Sequence, residues 1–153
     1  MKIGLITISD TRCFDDDDTG HTVMNALREY GFDTFETVIV AAEMAQIRHA
    51  LRRMSESCAA IFTIGGTGFA PHDITPEATA SVLDRRADNL CELMRCRASE
   101  FSPASYLSRG VAGMVGDALV VNLPGSPMAA KHAVQAIGSL LSDIFGQTVG
   151  VGC

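Results

Sequence analysis

The stretch from Ile61 to Glu77 limits what this chain can fold into more than any other part of it. It reads Ile61-Phe62-Thr63-Ile64, then Gly65-Gly66-Thr67-Gly68, then Phe69 through Asp73 to Thr75-Pro76-Glu77. A short apolar run of β-branched and aromatic residues that meets three glycines in four positions predicts a buried strand breaking into a tight loop. Glycine permits φ > 0 and removes the Cβ that would keep a ligand from the backbone N–H groups. Beyond the loop, Thr75 reads as an N-cap, Pro76 as a first helical position and Glu77 as an acid favoured by the helix dipole. Asp73 lies between glycines and helix, placed to hold a metal ion or orient a nucleophile. Strand, glycine loop, carboxylate and helix start together suit a phosphate-bearing ligand.

Two familiar phosphate loops do not fit. A Walker loop ends in Gly-Lys-Ser/Thr, and no lysine is near. A Rossmann fingerprint takes Gly66 and Gly68 as its first two glycines, but its third falls on Pro71.

A chain of 153 residues predicts one domain over positions 1–153 with a real core. No run is long and apolar enough to span a membrane, and the N-terminus passes straight into the strand-like Ile3–Ile8 without a signal pattern. The five cysteines, Cys13, Cys58, Cys91, Cys96 and Cys153, include no Cys-x-x-Cys pair, so free thiols in a reducing cytoplasm are expected. Net charge is −6, with Lys2 and Lys131 the only lysines. Nucleic-acid binding is therefore excluded as a function class, for want of a basic face. A site for a small anion must rely on backbone donors, a few arginines or a divalent cation.

In chain order, strand one ends at Ser9-Asp10-Thr11. Of the acidic run that follows, Asp15, Asp16 and Asp17 read as solvated loop, whereas Asp18-Thr19-Gly20 leads into a helix carrying Val23, Leu27 and Tyr30 and stopping at Gly31. Strand two, near Phe35 to Val40, ends in Ala41-Ala42-Glu43. The next helix puts Met44, Ile47, Leu51 and Met54 on a core face, with Arg48, Arg52 and Arg53 toward solvent. After the Ile61 stretch, Asn89 with Glu92 resembles a capping box. Val111–Val115 and Ala118–Asn122 read as a hairpin turning at Gly116-Asp117. Asn122-Leu123-Pro124-Gly125-Ser126 then opens a last helix, with Ala130, Val134, Ile137, Leu141 and Ile144 in one stripe. The alternation predicts a three-layer, Rossmann-like α/β domain with a mostly parallel sheet and a β-hairpin near the C-terminal end. Ligands of such sheets gather at the carboxyl ends of strands. The loops at Ser9-Asp10, Ala42-Glu43, Gly65 to Asp73 and Asn122 to Ser126 are thus expected on one rim, with Lys131 close by.

Ser9-Asp10, Asp18-Thr19-Gly20, Gly65-Gly66-Thr67-Gly68 with Asp73-Ile74-Thr75-Pro76-Glu77-Ala78, Leu107-Ser108-Arg109 and Leu123-Pro124-Gly125-Ser126 also carry a resemblance over nearly the whole chain. The chain resembles the molybdopterin-binding family of molybdenum cofactor biosynthesis, and its Gly-Phe-Ala-Pro run looks most like the adenylyltransferase branch that includes the plant Cnx and animal gephyrin G domains. The resemblance implies a cytoplasmic homotrimer whose substrates are molybdopterin and ATP, with Mg2+. The terminal phosphate of molybdopterin attacks the ATP α-phosphate, pyrophosphate leaves, and a separate molybdenum insertase later exchanges AMP for molybdate. By analogy Asp73 acts at the metal and the reacting phosphates. The motif residues Ser9, Asp10, Asp18, Thr19, Gly65, Gly66, Thr67, Gly68, Thr75, Pro76, Glu77, Ser108, Arg109, Asn122, Pro124, Gly125, Ser126 and Lys131 form the expected substrate-binding set.

One departure bears on catalysis. Active relatives usually carry an acid at the position aligned with Ala42; here the acid is Glu43, one residue on, and it is the expected catalytic substitute. The alternatives are a non-catalytic molybdopterin-binding or carrier protein on the same site, or an unrelated mononucleotide-binding α/β domain. Of the histidines, only His72, beside Asp73, attracts notice.

Overall fold

The computed structural model describes residues 1–11 and 13–149; Cys153, among the thiols expected to be free, lies outside them. Six strands form one sheet: β1 (Lys2–Ile8), β2 (Thr34–Val40), β3 (Ala60–Ile64), β4 (Arg85–Arg86), β5 (Ala112–Val115) and β6 (Ala118–Leu123), in the spatial order β2-β1-β3-β6-β5-β4. The β2-β1-β3-β6 block is parallel, with Leu5 opposite both Thr37 and Phe62, and Phe62 opposite Val121. β5 and β6 form the expected antiparallel hairpin, and Gly116 takes the positive φ of +57° that its turn requires. β4 is an addition: Arg85-Arg86 pairs with Met114 and Gly113 at the sheet edge.

The helices are α1 (Asp18–Arg28), α2 (Met44–Ser55), α3 (Thr75–Ala80), α4 (Asp88–Ala98), α5 (Pro127–Ile137) and α6 (Leu141–Thr148). Strand side chains alternate between faces, so the sheet makes two cores. Ile3, Leu5, Phe62, Ile64, Leu119, Val121 and Leu123 pack under α1, α4, α5 and α6. Ile6, Ile61 and Val120 point the other way, into Ile47, Leu51 and Met54 of α2 and Ala78 of α3. The three-layer prediction holds.

Local details differ. Met44 is exposed, one turn short of the core stripe begun by Ile47. No side chain caps α4: it begins at Asp88 after Ala87, so Asn89 and Glu92 make no capping box. The single last helix is divided, with a 3-10 turn at Gly138–Leu140 between α5 and α6. Gly138 lies against the Tyr30 ring so closely that a Cβ there would overlap it. Asp17, expected in solvent, is buried; its Oδ1 accepts from the Gly20 N–H at 2.9 Å and its Oδ2 from the Thr7 hydroxyl at 2.5 Å. It caps α1 and ties it to β1. Asp18, expected to be the exception, is the exposed one.

Candidate functional site

The connection from β1 runs outward to β2 on one side while β3 lies on the other, so the strand order switches between the parallel β1 and β3 and a crevice opens past their carboxyl ends. Gly65 lies at that point with φ +94°, where a Cβ would come within 3.2 Å of the Ile8 carbonyl. Gly66, at φ +70°, abuts the buried Thr75 hydroxyl so closely that a Cβ would overlap it. Gly68 has no positive φ; it is glycine because a Cβ would stand 2.8 Å from Asp73 Oδ2. The N–H of Gly65 goes to the Leu123 carbonyl. Those of Gly66, Thr67 and Gly68 donate to no acceptor among the described residues, leaving three successive donors open to an anion.

The second loop meets the first. Gly125 packs on Gly65, at 3.4 Å from its Cα to the position of a Gly125 Cβ. Ser126 caps α5 weakly, its hydroxyl accepting from Ala129 N–H at 3.4 Å. The Thr19 hydroxyl donates to the Gly125 carbonyl at 2.8 Å, so Thr19 positions this loop from α1. Both loops face a cavity of about 620 Å³, whose wall includes Gly66, Thr67, Gly68, Asp73, Ser108, Asn122, Pro124, Gly125 and Ser126. Its other end lies between α4 and α5 and is lined by Cys91, Met94, Ala98, Phe101, Met128 and His132.

Asp73 is the carboxylate in that wall. Oδ2 accepts the Ala70 N–H at 3.0 Å, while Oδ1 has only a long 3.9 Å approach from the exposed His72. Magnesium commonly takes one or two carboxylates and completes its shell with substrate phosphates and water. A lone carboxylate beside open backbone donors fits that pattern. Among the described residues no group of three or more His, Cys, Asp or Glu could hold a metal by itself.

Several expected ligand residues are engaged inside the protein. Arg109 is a clasp: Nε donates to the Gly68 carbonyl at 2.7 Å, one terminal nitrogen to the Asp73 carbonyl at 2.7 Å and the other to Glu77 at 2.5 Å. Its own N–H reaches the Thr67 carbonyl at 2.9 Å. One guanidinium thus binds the glycine loop, the Asp73 turn and α3 together. The Arg109 hydrogen bond holds the Glu77 carboxyl below its usual range, and Glu77 raises Arg109 in turn. Thr75 is the first residue of α3 rather than its cap, and its buried hydroxyl has no hydrogen-bond partner among the described residues; Pro76 follows it, buried. Asn122 is saturated: its amide donates to Thr63 at 2.7 Å and Thr79 at 2.9 Å and accepts from Val111 N–H at 3.0 Å. Lys131, on α5, lies outside the cavity lining.

The four-loop rim divides in two. Ser9 lines a second hollow of about 440 Å³ with Thr7, Cys13, Asp17, His21 and Ala41. Asp10 is exposed, and its Oδ1 accepts the Ala42 N–H at 3.0 Å, tying the β1 and β2 loops to each other. Glu43 reaches neither cavity. It flanks the start of α2 with its carboxylate on Gln46 Nε2 at 3.0 Å, after a tight turn at Ala42 closed by the Glu43 N–H on the Ala41 carbonyl at 2.8 Å.

Sequence reasoning passed over the far wall of the main cavity. Phe101 and His132 stack there, with ring centroids 3.8 Å apart and an interplanar angle of 14°. Arg95 braces the wall through the Ser108 and Gly110 carbonyls at 3.1 and 3.3 Å. Burial pushes the Cys91 thiol up to about 11, so it lines the cavity as a neutral, apolar group. The only signal for this wall was the small-residue face of α5 opposite α4.

The sequence family described as probable molybdopterin binding domain matches residues 4–143. A molybdopterin adenylyltransferase from Helicobacter pylori is 35% identical over 143 residues, covering 90% of this chain and 81% of that protein. The molybdenum cofactor synthesis protein cinnamon of Drosophila melanogaster is 37% identical over 147 residues, 92% of this chain, although the chain spans only 24% of that protein's length. The crystal structure of the molybdopterin biosynthesis enzyme MoaB from Thermus thermophilus superposes with a TM-score of 0.89 at 36% identity, covering 97% of this chain and 96% of that one. A glycine-loop cavity at the sheet switch point and a match across nearly the whole sequence agree: the chain belongs to the molybdopterin-binding family of molybdenum cofactor biosynthesis.

Proposed function

We propose that the protein is a molybdopterin adenylyltransferase. A phosphate oxygen of molybdopterin attacks the α-phosphorus of ATP; the new P–O bond forms as the bond to the β-phosphate oxygen breaks, and pyrophosphate leaves. The observation that carries this reading is one cavity with open N–H donors of the first glycine loop, the second loop at a helix start, and Asp73 between them. Relatives of similar length bear the name of this activity.

Nucleotidyl transfer asks a protein for positioning and charge neutralisation more than for covalent chemistry. The N–H groups of Gly66, Thr67 and Gly68 bind phosphate oxygens, Ser126 and the start of α5 do so from the second loop, and Ser108 presents its hydroxyl from the wall. Asp73 would hold a magnesium ion, which supplies positive charge at the reacting phosphates when bound. Arg109 serves as a positioning residue, keeping Asp73 and the glycine loop in one geometry. A single domain, a homotrimer, a cytoplasmic location and delivery of the adenylylated product to a separate insertase are proposed with it; light scattering that gave a monomer mass would overturn the trimer.

A second reading, molybdopterin binding without adenylylation, is favoured by one observation: position 42 is alanine, and Glu43 is turned onto Gln46. Incubation with ATP, magnesium and molybdopterin decides between them. Pyrophosphate release supports the enzyme; bound molybdopterin with no pyrophosphate supports the binder.

A further inference from the structure

The first glycine loop is pinned from behind, one peptide at a time. In a trans peptide the carbonyl and the N–H point opposite ways, so a carbonyl held on the protein side turns the next N–H outward. The Gly66 carbonyl accepts the Thr75 N–H at 3.1 Å and the Thr67 carbonyl accepts the Arg109 N–H at 2.9 Å. Those two pins orient the open N–H groups of Thr67 and Gly68. The first peptide of the loop lacks one. The Gly65 carbonyl accepts from no donor among the described residues, so nothing holds the direction of the Gly66 N–H.

One unused donor stands beside that peptide. The Thr75 hydroxyl is fully buried and has no hydrogen-bond partner among the described residues. It abuts Gly66, in the space that a Cβ there would fill. A buried hydroxyl without a partner is costly and calls for a reason; for shape alone, valine would fill the same volume. Gly65 and Gly66 both have positive φ, +94° and +70°, and neither carries a side chain, so the peptide between them can turn. We infer that Thr75 is a positioning residue for phosphate binding. As a phosphate oxygen takes the Gly66 N–H, the Gly65–Gly66 peptide turns, its carbonyl accepts the Thr75 hydroxyl, and the row of pins is complete. The inference rests on the phosphate-binding role proposed above for this loop. It places Thr75 behind the loop, in keeping with its absence from the cavity lining.

Gly65-Gly66 is the only pair of adjacent glycines in the chain, which makes this peptide visible on its own. Protein grown with glycine isotope-labelled at the carbonyl carbon and the amide nitrogen gives one glycine-to-glycine correlation by NMR. Titration with molybdopterin should move that carbonyl resonance downfield, as a carbonyl gaining a hydrogen bond does, in wild type and in Thr75→Ser, which keeps the hydroxyl. Thr75→Val should lose the downfield move. Its molybdopterin affinity by calorimetry should fall about fivefold, the scale of one net hydrogen bond, and Thr75→Ser should stay within about twofold of wild type. Chemical denaturation without ligand should find Thr75→Val no less stable than wild type, since the hydroxyl has no partner there to lose. A Thr75→Val protein that binds molybdopterin or shifts the Gly65 carbonyl as wild type does would overturn the inference. So would a less stable Thr75→Val without ligand, because the hydroxyl would then be bonded already and serve the fold alone. Pyrophosphate release from the same proteins keeps the two readings apart. Wild type that binds molybdopterin with the Gly65 shift yet releases none would sink the adenylyltransferase and leave the role of Thr75 standing.

Discussion

The loops after β3 and β6 and the loops after β1 and β2 lie at the same end of one parallel sheet, yet they are built differently. The β3 and β6 loops are fixed from behind. Arg109 gathers Thr67, Gly68, Asp73 and Glu77, Thr19 fixes Gly125, and Asn122 joins β6 to Thr63, Thr79 and Val111. With the side chains committed to holding the frame, backbone N–H groups and one carboxylate are left for the ligand. The β1 and β2 loops meet through the Ser9 N–H on the Val40 carbonyl at 2.9 Å and the exposed Asp10 to Ala42 contact, and Glu43 faces its own helix. The contrast teaches that a position past a strand end brings a residue to the rim, but a rigid backing makes the rim a site.

If the backed half is where chemistry occurs, its substitutions must be the costly ones. Asp73→Asn keeps the shape and removes the charge; pyrophosphate release should fall about a hundredfold or more, on the order of 3 kcal/mol of transition-state stabilisation. Molybdopterin affinity, measured in parallel, should move by only a few-fold. Turnover within threefold of wild type would break the comparison at its strongest point.

Gly66→Ala comes next. The left-handed backbone costs a residue with a side chain roughly 1–2 kcal/mol, and the new Cβ must displace the buried Thr75 hydroxyl. Gly31→Ala is the control: its φ is +90°, but nothing lies within 4 Å of the Cβ position. Chemical denaturation should show Gly66→Ala the more destabilising of the two by about 1 kcal/mol or more, and binding of molybdopterin should be lost in it alone. Equal destabilisation would mean that the loop yields freely.

How much of this could be read in the chain depends on how local the cause was. A continuous apolar run is local, so Ile61–Ile64 was assignable to a buried strand, and the Gly116-Asp117 turn to a hairpin. The glycine loop was legible because φ > 0 and close approach have few other solutions. Asn122 read as a ligand residue because it stands at a strand end, and Arg109 because its motif carries the family resemblance; that both are consumed internally depends on partners from several elements. Asp17 and Asp18 differ by one position relative to the start of α1, less than a sequence pattern resolves. Phe101 and His132 meet only because α4 packs on α5.

Arg109→Ala should rank third, lowering stability in chemical denaturation and weakening molybdopterin roughly tenfold as the loop loosens. Arg109→Lys should restore little, since an ammonium cannot reproduce a planar fork to separate acceptors. Glu77→Gln should cost far less, because that pair is half exposed. Its pH dependence has a definite sign. Glu77 is held below the ordinary value of 4.5 in the folded state, so the pair contributes fully above that pH. The contribution is lost as pH falls below 4.5 and through the lowered folded value. The stability difference between wild type and Glu77→Gln should shrink over that window; a difference unchanged down to complete protonation would remove the charge from the account of the clasp.

The smallest expected effect is on the loosely built side, and it is the most informative about position 42. Glu43→Gln leaves a side chain that still meets Gln46, so turnover should change less than about twofold. Its carboxylate is bound to its own helix and reaches neither cavity. A large loss would mean that this loop rearranges on binding and that Glu43 is the substitute acid after all. Ala42→Asp sharpens the question from the other direction. It sets a second carboxylate on the residue whose N–H is held by Asp10 at 3.0 Å, and two adjacent carboxylates favour a divalent cation. In a working enzyme this should lower the magnesium concentration needed for half-maximal pyrophosphate release by several-fold, with Asp73→Asn still inactive. In a protein that only binds molybdopterin, wild type should release no pyrophosphate and Ala42→Asp should begin to. If Ala42→Asp changes neither quantity, both halves of the rim keep their separate characters, and Asp73 carries the metal without help from the β2 loop.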